Sequence, residues 1–334
     1  MGRASFRKFD MSLLKAEIHC HIEGAADPNL VLRLAQKYQL DMSDIIDDGA
    51  YVWSDFTSFL KAYDKASSVF RTPDDYRLLT YDYFSKLADQ NCIYGEIFGS
   101  SDHAAQMGIG YNDLVQAMAA GIEDAKSETG IEGRIIMTCV RHLGPEAAMS
   151  VAELIAENPH PMVTGFGMGG DERMFDVQEF APAYAIAADA GLGLTAHGGE
   201  FAGPDSVRDC LDYLNVTRVG HGVRSIEDPA LMNRLRDENI VLEVCPGSNI
   251  SLGVYENFAA HPLRKLFEAG VAVTLNSDDP PFFHTSLDRE YHLATDEFGF
   301  DDDTINQFTR TALEAAFVDE PTRSKLLKKL DTHS

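Results

Sequence analysis

Short apolar runs alternate along this chain with longer stretches in which apolar residues recur at helical spacing. Eight runs stand out, at 16–22, 93–98, 134–140, 162–168, 192–197, 218–221, 241–244 and 271–275. Most are almost continuously apolar, as strands covered on both faces must be. The intervening pattern predicts helices, for example over 113–126, 145–157 and 229–238, with Asp or Pro near their starts. Strands that alternate with helices form βαβ units and a parallel sheet. Eight of them predict a closed α/β barrel, the (β/α)8 TIM fold, which routinely occupies a chain of 334 residues as one domain. Residues 1–334 are therefore read as a single barrel domain.

The connection between the first and second runs is much longer than the rest and predicts three extra helices, an insertion over about 28–91. Within it Phe56, Phe59, Leu60 and Tyr63 fall at i, i+3, i+4 and i+7. That stripe reads first as a core-facing surface and second as a lid over a substrate.

Composition narrows the function. With 28 Lys and Arg against 53 Asp and Glu, the formal charge of -25 repels nucleic acid and anionic membranes. The five cysteines, Cys20, Cys92, Cys139, Cys210 and Cys245, show no CxxC pair, so neither a disulfide framework nor a thiolate zinc site is indicated. A reducing, cytoplasmic setting fits. Arg3, Arg7 and Lys8 are not followed by the apolar stretch of a signal peptide, and no run of about 18 apolar residues spans a bilayer.

In a barrel of this kind the reactive groups sit at the C-terminal ends of the strands. The first strand end carries His19 and His21, which at i and i+2 point to one side and can share a metal ion. The fifth ends in His197 with Glu200 just beyond, the sixth in His221, and the eighth in Asp278 and Asp279. A single histidine is usually structural. Histidines and carboxylates on four separate strand ends are hard to explain as packing. Imidazoles with one carboxylate suit Zn²⁺ with a position left for water.

The segments from Lys15 to Gly24, His197-Gly198-Gly199-Glu200, Gly220-His221-Gly222 and Ser277-Asp278-Asp279-Pro280 together resemble the adenosine deaminase family, in matching order over nearly the whole chain. Cys245-Pro246-Gly247-Ser248-Asn249 and the stretch from Gly165 to Glu172 resemble further segments of it. The resemblance implies one zinc per chain held by His19, His21, His197 and Asp278. It implies that Glu200 protonates purine N1 while water attacks C6, and that His221 orients the attacking oxygen. Asp279 would bond N7, the Gly170 N–H would serve N3, and Glu23 would face a ribose hydroxyl. The activity implied is hydrolytic deamination of adenosine, and of 2′-deoxyadenosine, with a small-molecule purine nucleoside as partner. Thr285 to Tyr291 resembles the nucleoside-specific branch and favours adenosine over adenine, the alternative on the same scaffold. Members of the family commonly have Ala at Gly198 and an acidic residue at Gly167, so the turn around Gly170 is expected to be looser. A binuclear hydrolase on this barrel would need a bridging side chain at the fourth strand, where 162–170 has no Lys, Glu or Asp. A barrel kept only for binding would have an eroded rim, and this rim is intact.

Overall fold

The structure is a computed structural model that describes residues 13–333. The basic stretch with Arg3, Arg7 and Lys8, read above as no signal peptide, lies outside the described residues. Among the described residues ten strands are formed: β1 Lys15–Glu17, β2 Ile46–Asp47, β3 Ala50–Tyr51, β4 Cys92–Gly99, β5 Glu132–Val140, β6 Val163–Gly169, β7 Gly193–Gly198, β8 Arg218–His221, β9 Val241–Val244 and β10 Ala272–Leu275. Strands β1 and β4 to β10 form one sheet in sequential order, and its neighbouring strands run parallel. Helices follow the strands and cover the outer face of the sheet, side chains fill its interior, and the architecture is the (β/α)8 barrel expected from the pattern. Among the described residues no helix is long and apolar enough to cross a membrane.

Seven of the eight predicted runs coincide with strands to within two residues. The first differs. It was read as 16–22, but the ladder of β1 ends at Glu17. Beyond it the pairing with β4 is interrupted, as Ile18 N–H donates to Asn276 Oδ1 (3.1 Å) and His19 N–H to Glu17 Oε1 (3.1 Å), and returns only as a bridge at His21 and Phe98. His21 N–H then reaches the Asp278 carbonyl, and Asp278 N–H the His19 carbonyl, each at 3.0 Å. An apolar run predicts an extended chain, but not whether its hydrogen bonds go to a neighbouring ladder or to side chains. Here they close the seam of the barrel between β10 and β1, so barrel closure itself brings His19, His21 and Asp278 together.

The long insertion forms three helices, α1 Pro28–Tyr38, α2 Phe56–Ser67 and α3 Pro73–Asp89, with the β2–β3 hairpin between the first two. Asp27, Asp55 and Thr72 cap them by accepting from first-turn N–H groups, and Pro28 and Pro73 start two of them without a missing donor. The stripe on α2 serves both purposes: Phe59 is buried, Phe56, Leu60 and Tyr63 are half-buried, and all four line a cavity at the barrel mouth. Trp53 Nε1–H ties the approach to α2 onto the Phe282 carbonyl (3.0 Å).

Candidate active site

Four strand ends converge on the cavity. His21, His197, Glu200, His221, Asp278 and Asp279 all line it, together with Glu23 and Gly170. His19 lies beneath, fully buried. One ligand atom from each of His19, His21, His197 and Asp278 falls within 4.8 Å of the others. The Nε2 atoms of His21 and His197 are 3.2 Å apart. Asp278 Oδ1 stands 3.6 Å from His19 Nε2 and 3.5 Å from His21 Nε2.

The far sides of these groups are fixed. His19 Nδ1 is 2.7 Å from Glu243 Oε2, and His197 Nδ1 donates to the Met168 carbonyl at 2.7 Å. Both rings therefore direct Nε2 inward, and His19 Nε2 is a buried nitrogen without a hydrogen-bond partner. Ser248 donates to Asp278 Oδ2 at 2.6 Å, which leaves Oδ1 for the cluster. A convergent set of three imidazole nitrogens and one carboxylate oxygen, one nitrogen orphaned, fits a divalent cation. His221, Cys245 and Asp278 form a second close group that shares Asp278.

Glu243 is itself held from within the barrel. Arg218, fully buried on β8, forms ion pairs with Glu243 Oε1 (2.6 Å) and Glu96 Oε2 (2.7 Å), and Thr195 donates to the same Glu243 oxygen. Burial raises the Glu243 carboxyl, but Arg218 and His19 outweigh it and keep the group below its ordinary value. Removing one partner from such a buried set costs about 3–5 kcal/mol, because the other charge is stranded.

Protonation states follow from burial. Desolvation, reinforced by the Asp278 and Glu172 charges, pushes Glu200 well above the ordinary carboxylate range. Asp279 rises for the same reason beside Asp278, and its Oδ1 is buried without a partner. Burial also opposes charge on Asp278, but the neighbouring histidines overcome it and hold that carboxyl down. Burial keeps His221 neutral, well below its usual value. Two site residues occupy the left-handed region, His221 at φ 59° and Asp278 at φ 63°. Non-glycine residues rarely stand there, and the strain is of order 1–3 kcal/mol each. Gly24 has a steric reason: a Cβ there would lie 1.6 Å from Asp279 Oδ1.

A family model described as Adenosine deaminase matches residues 14–333. The chain belongs to the adenosine deaminase family. It is 57% identical over 318 residues to a protein of Sinorhizobium medicae called adenine deaminase, covering 95% of this chain and 98% of that one. A protein of the same name from Agrobacterium fabrum is 56% identical with the same coverage. Among solved structures, adenine deaminase from Arthrobacter aurescens aligns with TM-score 0.89 at 26% identity, over 95% of this chain and 98% of its own. An amidohydrolase from Burkholderia ambifaria, solved with bound Zn, aligns with TM-score 0.87 at 26% identity, over 100% and 94%.

The departures from adenosine deaminase family sequences have local causes. At Gly198 an added Cβ would meet Cys210 Sγ at 3.1 Å, so Ala is tight there. The turn after β6 is anchored despite Gly167. Arg141 donates to the carbonyls of Met174 and Phe175, at 2.7 and 2.9 Å.

Glu172, whose role the sequence pattern did not reveal, ties that turn to the next. Its carboxylate accepts the N–H groups of Gly199, Glu200 (3.1 Å), Phe201 (2.7 Å) and Ala202 (2.9 Å), and the Ser206 hydroxyl (2.5 Å). Each of those buried donors left unmet costs about 1–3 kcal/mol. Glu172→Gln turns one acceptor into a donor facing other donors. We expect it to lower Tm by several degrees and kcat by about tenfold or more, as Glu200 loses its fixed turn. Steady-state kinetics and a thermal melt check this; unchanged values in both would mean that the turn holds itself.

Proposed function

We propose that this chain is a metal-dependent adenine deaminase, which hydrolyses the exocyclic C6–N bond of the free base to give hypoxanthine and ammonia. The observation that carries the reading is the 57% identity, over 98% of its length, to a relative called adenine deaminase. Family membership supports the coarser reaction, hydrolytic deamination of a purine.

The adenosine preference is corrected accordingly. It rested on Thr285 to Tyr291, and none of these residues lines the cavity. Thr285 Oγ1 instead donates to Glu290, whose other oxygen accepts the Gly247 N–H at 2.9 Å, so the segment braces the turn after β9. Glu23, assigned above to a ribose hydroxyl, already accepts from Tyr63 (3.3 Å) and Tyr76 (3.2 Å), one on each carboxylate oxygen. Each carboxylate oxygen can accept one further hydrogen bond, so Glu23 does not by itself choose between base and nucleoside.

One Zn²⁺ per chain, on His19, His21, His197 and Asp278, would lower the pKa of a bound water toward neutrality. Asp278 would accept that water's proton. His221 presents its ring beside Asp278, with Nε2 3.9 Å from Oδ2. Glu200, kept protonated by burial, gives a proton to N1 as the oxygen adds at C6. A neutral Asp279 carboxyl donates to N7, and the Gly170 N–H faces N3. The proton taken by Asp278 would pass to the amino nitrogen, which leaves as ammonia, and the C6 oxygen would give its remaining proton back to Glu200, which restores the acid. Phe56, Leu60 and Phe283 at the cavity mouth keep bulk water from the low-dielectric site, so α2 acts as the lid of this pocket.

The test is a comparison of kcat/KM for adenine and adenosine on the metal-loaded protein. The expected result is a preference for adenine of about 100-fold or more, as the relatives called adenine deaminase lead one to expect. A ratio at or below one would restore adenosine.

A further inference from the structure

Two residues outside the cluster, Asn249 in the helical turn Pro246–Ser251 and His261 in the loop before the helix Leu263–Glu268, form a chain of hydrogen bonds whose direction can be followed from one end. It begins with a donor that has no alternative. The backbone N–H of Leu263 donates to His261 Nδ1 at 3.2 Å, so Nδ1 is the acceptor nitrogen. Buried against Tyr255 and Phe298, His261 is neutral, with its pKa down at about 3. A neutral imidazole that accepts at Nδ1 must carry its proton on Nε2. That nitrogen lies 3.1 Å from Asn249 Oδ1, the acceptor of the amide. The orientation of the fully buried Asn249 side chain is thereby decided, and its NH₂ group faces the site.

There the NH₂ has two neighbours, Glu200 Oε1 and His221 Nδ1, each at 3.3 Å. It has two hydrogens, one for each. His221 Nδ1 must then be a lone pair, and the proton of that neutral ring stands on Nε2, the nitrogen on the Asp278 side. Glu200 Oε1 is likewise an acceptor, so the acidic proton of Glu200 stands on Oε2. A direct His221–Glu200 hydrogen bond does not compete, because Nδ1 and Oε1 are 3.6 Å apart.

We propose that His261 and Asn249 are positioning residues that fix the tautomer of His221 and confine the transferable proton of Glu200 to Oε2. Neither touches substrate. Their effect rests on the deaminase roles given above to Glu200 and His221, but the tautomer itself can be observed without turnover. Where an orienting group fails in a hydrolase triad, the wrong imidazole tautomer costs ~10⁴ in kcat. A dipolar amide orients less strongly than a carboxylate, so a smaller loss is expected here.

The primary measurement is ¹⁵N NMR of zinc-loaded protein labelled at histidine, with the His221 signals assigned by their loss in His221→Gln. The expected spectrum has His221 Nδ1 unprotonated and Nε2 protonated. A His221 protonated at Nδ1, or at both nitrogens, at neutral pH overturns the proposal. The variant Asn249→Asp keeps the shape and still accepts from His261, but offers oxygen where the amide offered hydrogen. It should move the His221 proton to Nδ1 and lower kcat by about 100-fold with KM changed by less than about threefold. His261→Gln, which retains a donor, should recover more activity than His261→Phe, which has none. An unmoved tautomer in folded Asn249→Asp, or equal kcat for Gln and Phe at 261, sinks the proposal. If the tautomer moves as described while wild-type protein fails to deaminate adenine, the positioning inference stands and the substrate reading falls.

Discussion

Glu200→Gln is expected to lose at least about a thousandfold in kcat while binding its metal normally. Three features set the size of that loss. Glu200 is buried and carries no part of the four-residue ligand cluster, so the metal does not depend on it. Burial and the charges of Asp278 and Glu172 push its pKa well above the ordinary carboxylate range, so in the proposed reaction it is the group that would give N1 a proton. Glutamine has the same shape but no acidic proton, and the turn held by Glu172 contacts only backbone N–H groups there, which the substitution leaves intact. Ground-state binding should therefore survive better than turnover. Metal content by elemental analysis and steady-state kinetics on the same sample decide the matter: more than about a tenth of wild-type kcat at full metal loading would remove Glu200 from the role of acid.

The second large effect is metal removal. Extensive chelation should abolish deamination, and about one equivalent of Zn²⁺ per chain should restore it, because among the described residues the four-residue cluster has the Nε2 atoms of His19 and His197 turned inward, and the second group shares Asp278 with it. His197→Ala should do the same irreversibly, leaving less than about a thousandth of the activity at any practical zinc concentration. The ligands must be deprotonated to bind, so affinity should weaken as pH falls. Two tightly held metals at full activity would instead implicate the neighbouring group of His221, Cys245 and Asp278, and Cys245→Ser would then lower the count to one. Full activity in thoroughly stripped protein would end the metal mechanism.

Much of this site is legible in the sequence. His19 and His21 at alternate positions of an extended segment had to face one way, and the strand ends carrying His197, His221 and Asp278 had to share one rim. Glu172 was not legible as the anchor of the Glu200 turn. Its five partners lie 27 to 34 residues away, and no local spacing reports a carboxylate that collects backbone N–H groups from the next βα turn. Glu243 and Arg218 were hidden for a related reason: inside otherwise apolar strands they look like errors of pattern until each is seen to neutralise the other beneath His19. The segment from Thr285 to Tyr291 was misread in the opposite sense, since a resemblance in sequence does not say whether a residue faces substrate or braces a turn.

The sequence by itself determined the eight-stranded barrel, the long helical insertion and the rim on which chemistry is possible, because side-chain alternation and helical period are properties of neighbouring residues. Only the tertiary structure decided where β1 ends, how the seam between β10 and β1 closes, and which carboxylates are protonated. Those depend on groups far apart in the chain, brought into a dry interior where one hydrogen-bond donor or one neighbouring charge determines the state of the next.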